Sequence, residues 1–218
     1  MKNKTKLENY FNFIKQQPNG FLYYDKKKHH KINKKEKLEK IKIKYEKCQN
    51  CPLANLGRIQ VVFGQGNPNA KLMFVGEGPG RDEDLKGVPF IGRAGKLLTK
   101  IIQAMKFTRQ EVYISNVVKC RPPNNRLPTP EESQTCKNLI LFNEIKIIKP
   151  KIICTLGACA TQALLGDEFK ISKSRGNFYE FHGILIIPTF HPAYLLRNPN
   201  AKKDVWKDMK KIIKKLDE

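Results

Sequence analysis

Residues 71–98 read KLMFVGEGPGRDEDLKGVPFIGRAGKLL, and this stretch decides the fold. Lys71 to Val75 is a short apolar run of the kind that forms a buried strand. The run breaks at Gly76-Glu77-Gly78-Pro79-Gly80, where glycines let bare backbone N–H groups approach a ligand and Pro79 stiffens the turn. Further on, Ala94, Leu97, Leu98, Ile101, Ile102 and Met105 recur at i, i+3, i+4 spacing and give a helix one apolar face. Strand, turn and helix in that order predict an α/β fold with a ligand at the turn. The glycines do not make a dinucleotide fingerprint. The third comes one place early, Arg81 stands where it belongs, and twelve residues that include Phe90 separate the glycines from the helix.

The chain has 218 residues, 40% of them hydrophobic, which suits one α/β domain with appendages. No apolar run reaches membrane-spanning length, and the lysines at the N-terminus are not followed by a hydrophobic signal core, so a cytoplasmic location is expected. Cysteines kept in that compartment are expected to be reduced or metal-bound. Forty-two Lys and Arg against twenty Asp and Glu leave a formal charge of +22. A field of that sign and size attracts polyanions, which makes DNA or RNA the leading class of partner.

Residues 1–47 hold fifteen lysines against five acidic residues, nearly half of the charge excess, and read as a basic extension preceding a domain over residues 48–218. Within the extension, Leu7, Tyr10, Phe11 and Ile14 fit a short amphipathic helix, Pro18-Asn19-Gly20 ends it, and Lys26 to Lys47 fits a basic helix. His29 and His30 lie in a lysine run, where exposure is expected.

Cys48-Gln49-Asn50-Cys51 taken alone is a redox pair, half a metal site or chance. Cys120 and Cys136 follow, the first just after a strand from Val112 to Val118 and the second on a helix marked by Thr129 as N-cap, Pro130 at its first position and Glu132 completing a capping box. Four cysteines can thus close one site, and thiolate-only ligation suits zinc or an iron–sulfur cluster equally. Between Cys120 and the helix, the loop from Arg121 to Pro128 is proline-stiffened and basic, suited to lie against a phosphate backbone. Cys154 lies in a strand from Lys151 to Leu156 and Cys159 in a helix from Ala158 to Leu165, so both read as small core residues. Ile184 to Phe190 is the last apolar strand, and it delivers His191-Pro192-Ala193-Tyr194-Leu195-Leu196-Arg197 at its end. Leu195 and Leu196 there fit a wedge for a base stack, with Arg197 beside them. Val205, Trp206, Met209, Ile212, Ile213 and Leu216 mark a closing helix.

From residue 48 onward the chain resembles the iron–sulfur uracil-DNA glycosylases of family 4. The resemblance is carried by the paired cysteines, VVFGQGNPNAKLMFVGEGPG, PFIGRAGKLL, VYISNVVKCRPPNNR and FHPAYLLRNP, in that order. It does not extend to residues 1–47. It implies a three-layer α/β/α sandwich with a central, largely parallel sheet, and a 4Fe-4S cluster on Cys48, Cys51, Cys120 and Cys136. The implied activity is excision of uracil from single- or double-stranded DNA by a monomer. Phe90 would stack on the flipped uracil, Asn116 would read its edge, and His191 would hydrogen-bond the oxygen on which leaving-group charge develops. Backbone around Glu77 and Gly78 would close the pocket, with Arg93, Arg121, Leu195, Leu196 and Arg197 facing the DNA.

Other uracil glycosylases carry a water-orienting aspartate where this chain has Gly78. Glu77 is the first candidate for that task here, with Glu83 and Asp84 nearby, and backbone alone holding the water is the alternative. Two alternatives stand beside the enzyme: a non-enzymatic iron–sulfur DNA-binding protein, and a protein that traps uracil-DNA covalently. The covalent group uses a histidine in a Lys-Arg-Arg-Ile-His insertion, whereas the loop after Lys119 reads CRPPNNRLPTP.

Overall fold

A computed structural model describes residues 33–218. The expected helix through Leu7 to Ile14, the break at Pro18-Asn19-Gly20 and the exposure of His29 and His30 lie outside the described residues. The elements, in chain order, are α1 (Lys34–Tyr45), β1 (Gln65–Gly66), β2 (Leu72–Gly76), α2 (Arg81–Lys86), α3 (Arg93–Ala104), β3 (Tyr113–Asn116), α4 (Pro130–Cys136), a π-helical turn (Lys137–Leu141), α5 (Phe142–Ile148), β4 (Ile152–Leu156), α6 (Gly157–Leu165), α7 (Ile171–Ser174), β5 (Tyr179–Phe181), β6 (Ile184–Thr189), α8 (Pro192–Arg197) and α9 (Lys202–Asp217).

One six-stranded sheet runs in the order β1-β3-β2-β4-β6-β5. Its four inner strands are parallel, with Met73 opposite both Tyr113 and Ile153. The edge strands β1 and β5 are antiparallel to their neighbours. The inner strands are largely buried on both faces and mostly apolar, their polar residues Ser115, Asn116, Thr155 and Thr189 lying towards their C-terminal ends. Successive side chains still go to opposite faces. Met73, Val75, Ile153 and Ile186 belong to a core shared with Leu38 of α1, Ile145 of α5 and Ala160 of α6. Leu72, Phe74, Cys154 and Ile187 belong to a second core with Leu98 of α3, Leu195 of α8 and Met209 of α9. The result is the expected α/β/α sandwich, and truncating fully buried Phe74 to Ala would cost about 3–5 kcal/mol.

Helix α1 falls in the lysine-rich N-terminal segment but is part of the compact unit Asn33–Glu218. Asn33 caps it by accepting from the Glu36 N–H, Leu38 and Tyr45 are buried, and Lys34 Nζ donates to the Ile148 carbonyl at 2.7 Å. At α4 the capping box forms as expected, with Thr129 and Glu132 each accepting from the other's backbone. Arg126 adds a forked ion pair to Glu132, at 2.7 and 2.8 Å.

The parallel strands all end on one edge: β2 at Gly76, β3 at Asn116, β4 at Leu156, and β6 at Thr189, two residues before His191. Of the pocket residues expected from the sequence, Glu77, Gly78, Asn116 and His191 lie on this edge or in a loop leaving it, and Phe90 lies in the connection between α2 and α3. No helix of the described residues is long and apolar enough to cross a membrane.

Candidate active site

Three loops build the pocket. β2 leads into the turn carrying Glu77 and Gly78, the α2–α3 connection carries Phe90, and His191 opens α8. Together they line a cavity of about 290 Å³ that also touches Pro122 and Arg126. Asn116, 1% exposed, does not line this cavity, but its amide meets the Phe90 ring at Gly76. A side chain at Gly76 would meet Phe90 Cζ at 2.3 Å and Asn116 Oδ1 at 2.6 Å, so Gly76 is where the aromatic ring and the amide converge. Only hydrogen fits there. Asn116 Oδ1 is buried without a hydrogen-bond partner among the described residues. A buried acceptor left unpaired costs about 1–3 kcal/mol, a penalty that a ligand N–H would remove.

Phe90 adopts φ +54°, a left-handed backbone unusual for an aromatic residue. Several neighbours impose it. Arg109 donates through Nη1 to the Phe90 carbonyl (2.9 Å) and through Nη2 to the Pro89 carbonyl (2.7 Å). Glu83 accepts from Ile91 N (2.9 Å), Gly92 N (2.8 Å) and Gly80 N (3.1 Å), joining the glycine turn to the Phe90 loop. Gly95 lets the Phe90 backbone sit against α3, since a Cβ there would lie 1.9 Å from the Phe90 carbonyl carbon.

His191 is the N-cap of α8, and its Nδ1 accepts from Ala193 N at 3.1 Å. A neutral ring so held carries its proton on Nε2, the remaining donor. Burial, with a smaller push from Arg197, lowers its pKa to about 4, so the ring is neutral near pH 7. Its centroid lies 5.7 Å from that of Phe90. Glu77 also lines the cavity, and burial raises its carboxyl above the ordinary value. A larger neighbouring cavity of about 530 Å³, running between α4 and α6, shares Glu77 and His191.

The other two acidic candidates have different work. Both Glu83 oxygens serve backbone N–H groups, as above. Asp84 is buried and accepts from Ile59 N and Gln60 N at 3.0 and 3.3 Å, holding the chain before β1. Among the residues expected to face DNA, Arg93 and Arg197 are exposed, and half-buried Arg121 donates through Nε to Asn125 Oδ1 at 2.8 Å. The wedge expectation is corrected at Leu195, which is 1% exposed within the second core, while Leu196 is 44% exposed. On a helix Leu195 falls on the same face as Pro192, and both turn inward. Cys159 is also corrected: it is half-buried and borders the larger cavity, whereas Cys154 is a core residue as expected.

Arg109, Glu83 in its bridging role, and Arg58 were not identified from sequence. Their partners lie 19, 8 and 62 positions away, beyond any local pattern.

Cys48, Cys51, Cys120 and Cys136 lie near enough for charge on one to influence the next. Three of the four sulfurs have an N–H donor: Asn50 Nδ2 reaches Cys48 (3.2 Å), Arg58 Nη1 reaches Cys120 (2.8 Å) and Lys119 N reaches Cys136 (3.2 Å). Donors of this kind stabilise thiolate sulfur. As free thiols three of the four are pushed up by burial, Cys136 to about 12, so cationic metal is what would make them thiolates. No three His, Cys, Asp or Glu side chains among the described residues converge on a single-ion site.

The family model of the Uracil DNA glycosylase superfamily matches residues 63–211, a range that takes in the sheet, its glycine turn and the pocket. Among curated relatives, the chain is 47% identical to the Type-4 uracil-DNA glycosylase of Thermotoga maritima, over 82% of this chain and 94% of that protein. It is 46% identical to the Type-4 enzyme of Sulfurisphaera tokodaii (81% and 84% covered) and 43% to that of Archaeoglobus fulgidus (81% and 92%). The chain belongs to the type-4 uracil-DNA glycosylase family.

Proposed function

We propose that this chain is a DNA repair enzyme that flips uracil out of DNA, hydrolyses its N-glycosidic bond and so starts base excision repair. Family membership supports the activity. The observation that carries the residue assignments is the unpartnered Asn116 Oδ1 facing Phe90 across Gly76. Uracil offers adjacent carbonyl oxygens and a ring N–H, so an amide accepts from the N–H through Oδ1 and donates to an oxygen through Nδ2. Cytosine presents the opposite pattern and would leave buried groups unpaired, which discriminates better than shape does. Phe90 supplies the stacking face. Extruding the base costs a few kcal/mol of unstacking, offset by contacts that Arg93, Arg121, Arg197 and exposed Leu196 make with the strand.

Bond cleavage develops positive charge on the sugar and negative charge on the base. His191, neutral and with Nδ1 occupied by Ala193 N, offers Nε2–H to the base oxygen where that charge grows. A preorganised donor of this type lowers a barrier by roughly 3 to 4 kcal/mol. Glu77 is the carboxylate assigned to hold the attacking water, since Glu83 and Asp84 are engaged with backbone. Gly78 leaves room at the turn, where a side chain would strike Val118 Cγ2 at 2.7 Å.

The N–H donors on three of their sulfurs fit Cys48, Cys51, Cys120 and Cys136 as ligands of a 4Fe-4S cluster. Bound there, the cluster would serve as a cross-link between the Cys48–Cys51 turn, the end of the β3 segment and α4. The enzyme is assigned to the cytoplasm as a monomer, with residues 33–218 as the folded unit and the lysines before it as an electrostatic appendage. The covalent and non-enzymatic alternatives are not favoured: residues 121–129 contain no histidine, and Phe90, Asn116 and His191 are all in place.

Incubation with duplexes containing U·A, U·G or T·G, followed by alkaline cleavage of abasic sites, tests the reading. Cleavage of both uracil duplexes and not of T·G is expected. Absence of cleavage, or a stable protein–DNA adduct without turnover, would overturn it.

A further inference from the structure

Lys119 is fully buried, an unusual place for a lysine. Its Nζ donates to the backbone carbonyl of Asn116 at 2.7 Å, to Glu144 Oε2 at 2.7 Å, and to Ser115 Oγ. Glu144 in turn accepts from Ser115 Oγ at 2.6 Å and from Gly64 N at 2.9 Å. None of these side chains lines either cavity beside the site. Such a pair is a poor source of stability, because desolvating both charges offsets most of their attraction. Where it is aimed is more informative: the three protein acceptors of Nζ include the peptide of Asn116, whose Oδ1 is the one buried side-chain oxygen without a partner among the described residues.

The same lysine faces the cysteine site through its backbone. Lys119 N donates to Cys136 Sγ at 3.2 Å and its carbonyl accepts from Val62 N at 2.7 Å. Between the two sites, Val117 N donates to the Gly76 carbonyl and Val118 N to that of Glu77. Asn116 to Cys120 is thus one pinned segment, with the pocket amide at one end and a cysteine at the other. Because Asn116 Oδ1 has no partner among the described residues, the amide's aim depends on where its backbone is held.

We propose that Lys119, with Glu144 as its counter-ion, is a positioning residue that fixes the Asn116 backbone and so sets the amide in register with the base. The inference rests on the uracil-excising reading above and adds to it a specificity device outside the pocket. Misplacing a recognition group by an ångström, without touching substrate, is enough to cost one to two orders of magnitude in rate.

Lys119→Met alone strands a buried carboxylate, so the informative variant is Lys119→Met/Glu144→Gln, with Ser115→Ala as a milder disruption of the same network. Each is measured in single turnover on U·G duplex, with free uracil as competitor, and for binding to uracil-free duplex. The paired variant should slow excision about tenfold or more and weaken competition by free uracil in parallel, while uracil-free duplex binds as before. Ser115→Ala should move both in the same direction by less. In an Asn116→Ala background the same paired substitution should change the rate by less than about twofold, the non-additivity expected when one residue acts through another. A merely structural pair would instead lower the melting temperature and leave rate and uracil competition within about twofold well below it. That result, for the paired variant or, should it not fold, for Ser115→Ala, would overturn the inference. Failure of the unsubstituted protein to excise uracil would sink the underlying functional reading instead.

Discussion

The pocket and the cysteine site lie at opposite ends of the same five residues, Asn116 to Cys120, and are finished differently. In the pocket Asn116 Oδ1 has no partner among the described residues and Gly76 holds open the space between amide and ring. At the other end, three of the four cysteine sulfurs are met by N–H donors, from Asn50, Arg58 and Lys119. Unsatisfied groups suit a ligand that arrives and leaves, since their cost is relieved only while it is bound. Sulfurs already held in place by donors suit a permanent resident. Substitutions in the two regions should accordingly fail in different currencies, the cysteines in folding and metal content, the pocket in rate.

The largest effect should come from Cys136→Ser. It removes a buried thiol, proposed above as a ligand, at the junction of α4 and the π-helical turn, and loss of a structural metal site commonly abolishes folding. Purified protein should be brown with about four irons per chain, as a four-thiolate cluster of this type requires. The variant should be colourless and mostly insoluble. Stoichiometric zinc in anaerobically prepared protein, or a soluble and active Cys136→Ser, would break the comparison from that side.

Next in size is His191→Ala, expected to lower the single-turnover rate roughly 100-fold with little change in DNA binding, as for a lost oxyanion donor. Its pH behaviour sharpens the point. With its pKa down at about 4, His191 stays neutral through the usual histidine range, so the rate should show no inflection near pH 6.5 from this residue. Folding should weaken as pH falls from 6.5 towards 4, because the unfolded chain takes up a proton there that the native ring refuses. A rate that tracked an ordinary histidine titration, lost in His191→Ala, would contradict the neutral-donor role.

Much of this could be read from the chain because the signals are local. The Lys71–Val75 run, the glycine turn, the Thr129–Glu132 capping box and the apolar face of α3 each follow from residues within a few positions, and each formed within a residue or two of where it was expected. β1 and β5 were not anticipated, since edge strands of two and three residues are too short for a period to show. Leu195 was misjudged for a related reason. As a motif Leu195-Leu196 looks like one exposed pair, but a helix turns adjacent residues about 100° apart, and one of them went to the core. Arg109 to Phe90, Glu83 to Ile91 and the Lys119–Glu144 pair link positions 19, 8 and 25 apart, so these contacts appear only after folding.

A smaller effect distinguishes Glu77 from its neighbours. Burial raises its carboxyl, so folding favours the protonated form, and stability falls as pH rises from the unfolded value of 4.5 through the raised one. Glu77→Gln should remove that loss and make the protein slightly more stable at pH 7 while slowing excision. It should also abolish an acid limb of the rate profile that begins above 4.5. Glu83→Gln should do the reverse, loosening the Phe90 loop and lowering stability, because both Glu83 oxygens already carry backbone hydrogen bonds. If the two variants behaved alike, the assignment of Glu77 to the water would fail.

The smallest expected effect lies outside both sites. Residues 1–32 carry eight lysines against two acidic residues, and the compact unit begins at Asn33, so the segment can be removed without cutting α1. Phosphate contacts position a protein on DNA but read no sequence, and each one released by salt steepens the fall of log K against log salt by about 0.9 on duplex. The fragment 33–218 should therefore bind DNA with a shallower salt slope, show its largest affinity deficit at low ionic strength, and keep both its single-turnover rate at saturation and its preference for uracil over thymine. Titration of the two proteins on uracil-free duplex between about 50 and 200 mM salt measures the slope directly. An unchanged slope would make these lysines a solvated surface. An altered base preference would be the more damaging result, since it would place part of the recognition in a segment where the pocket geometry leaves none to be done.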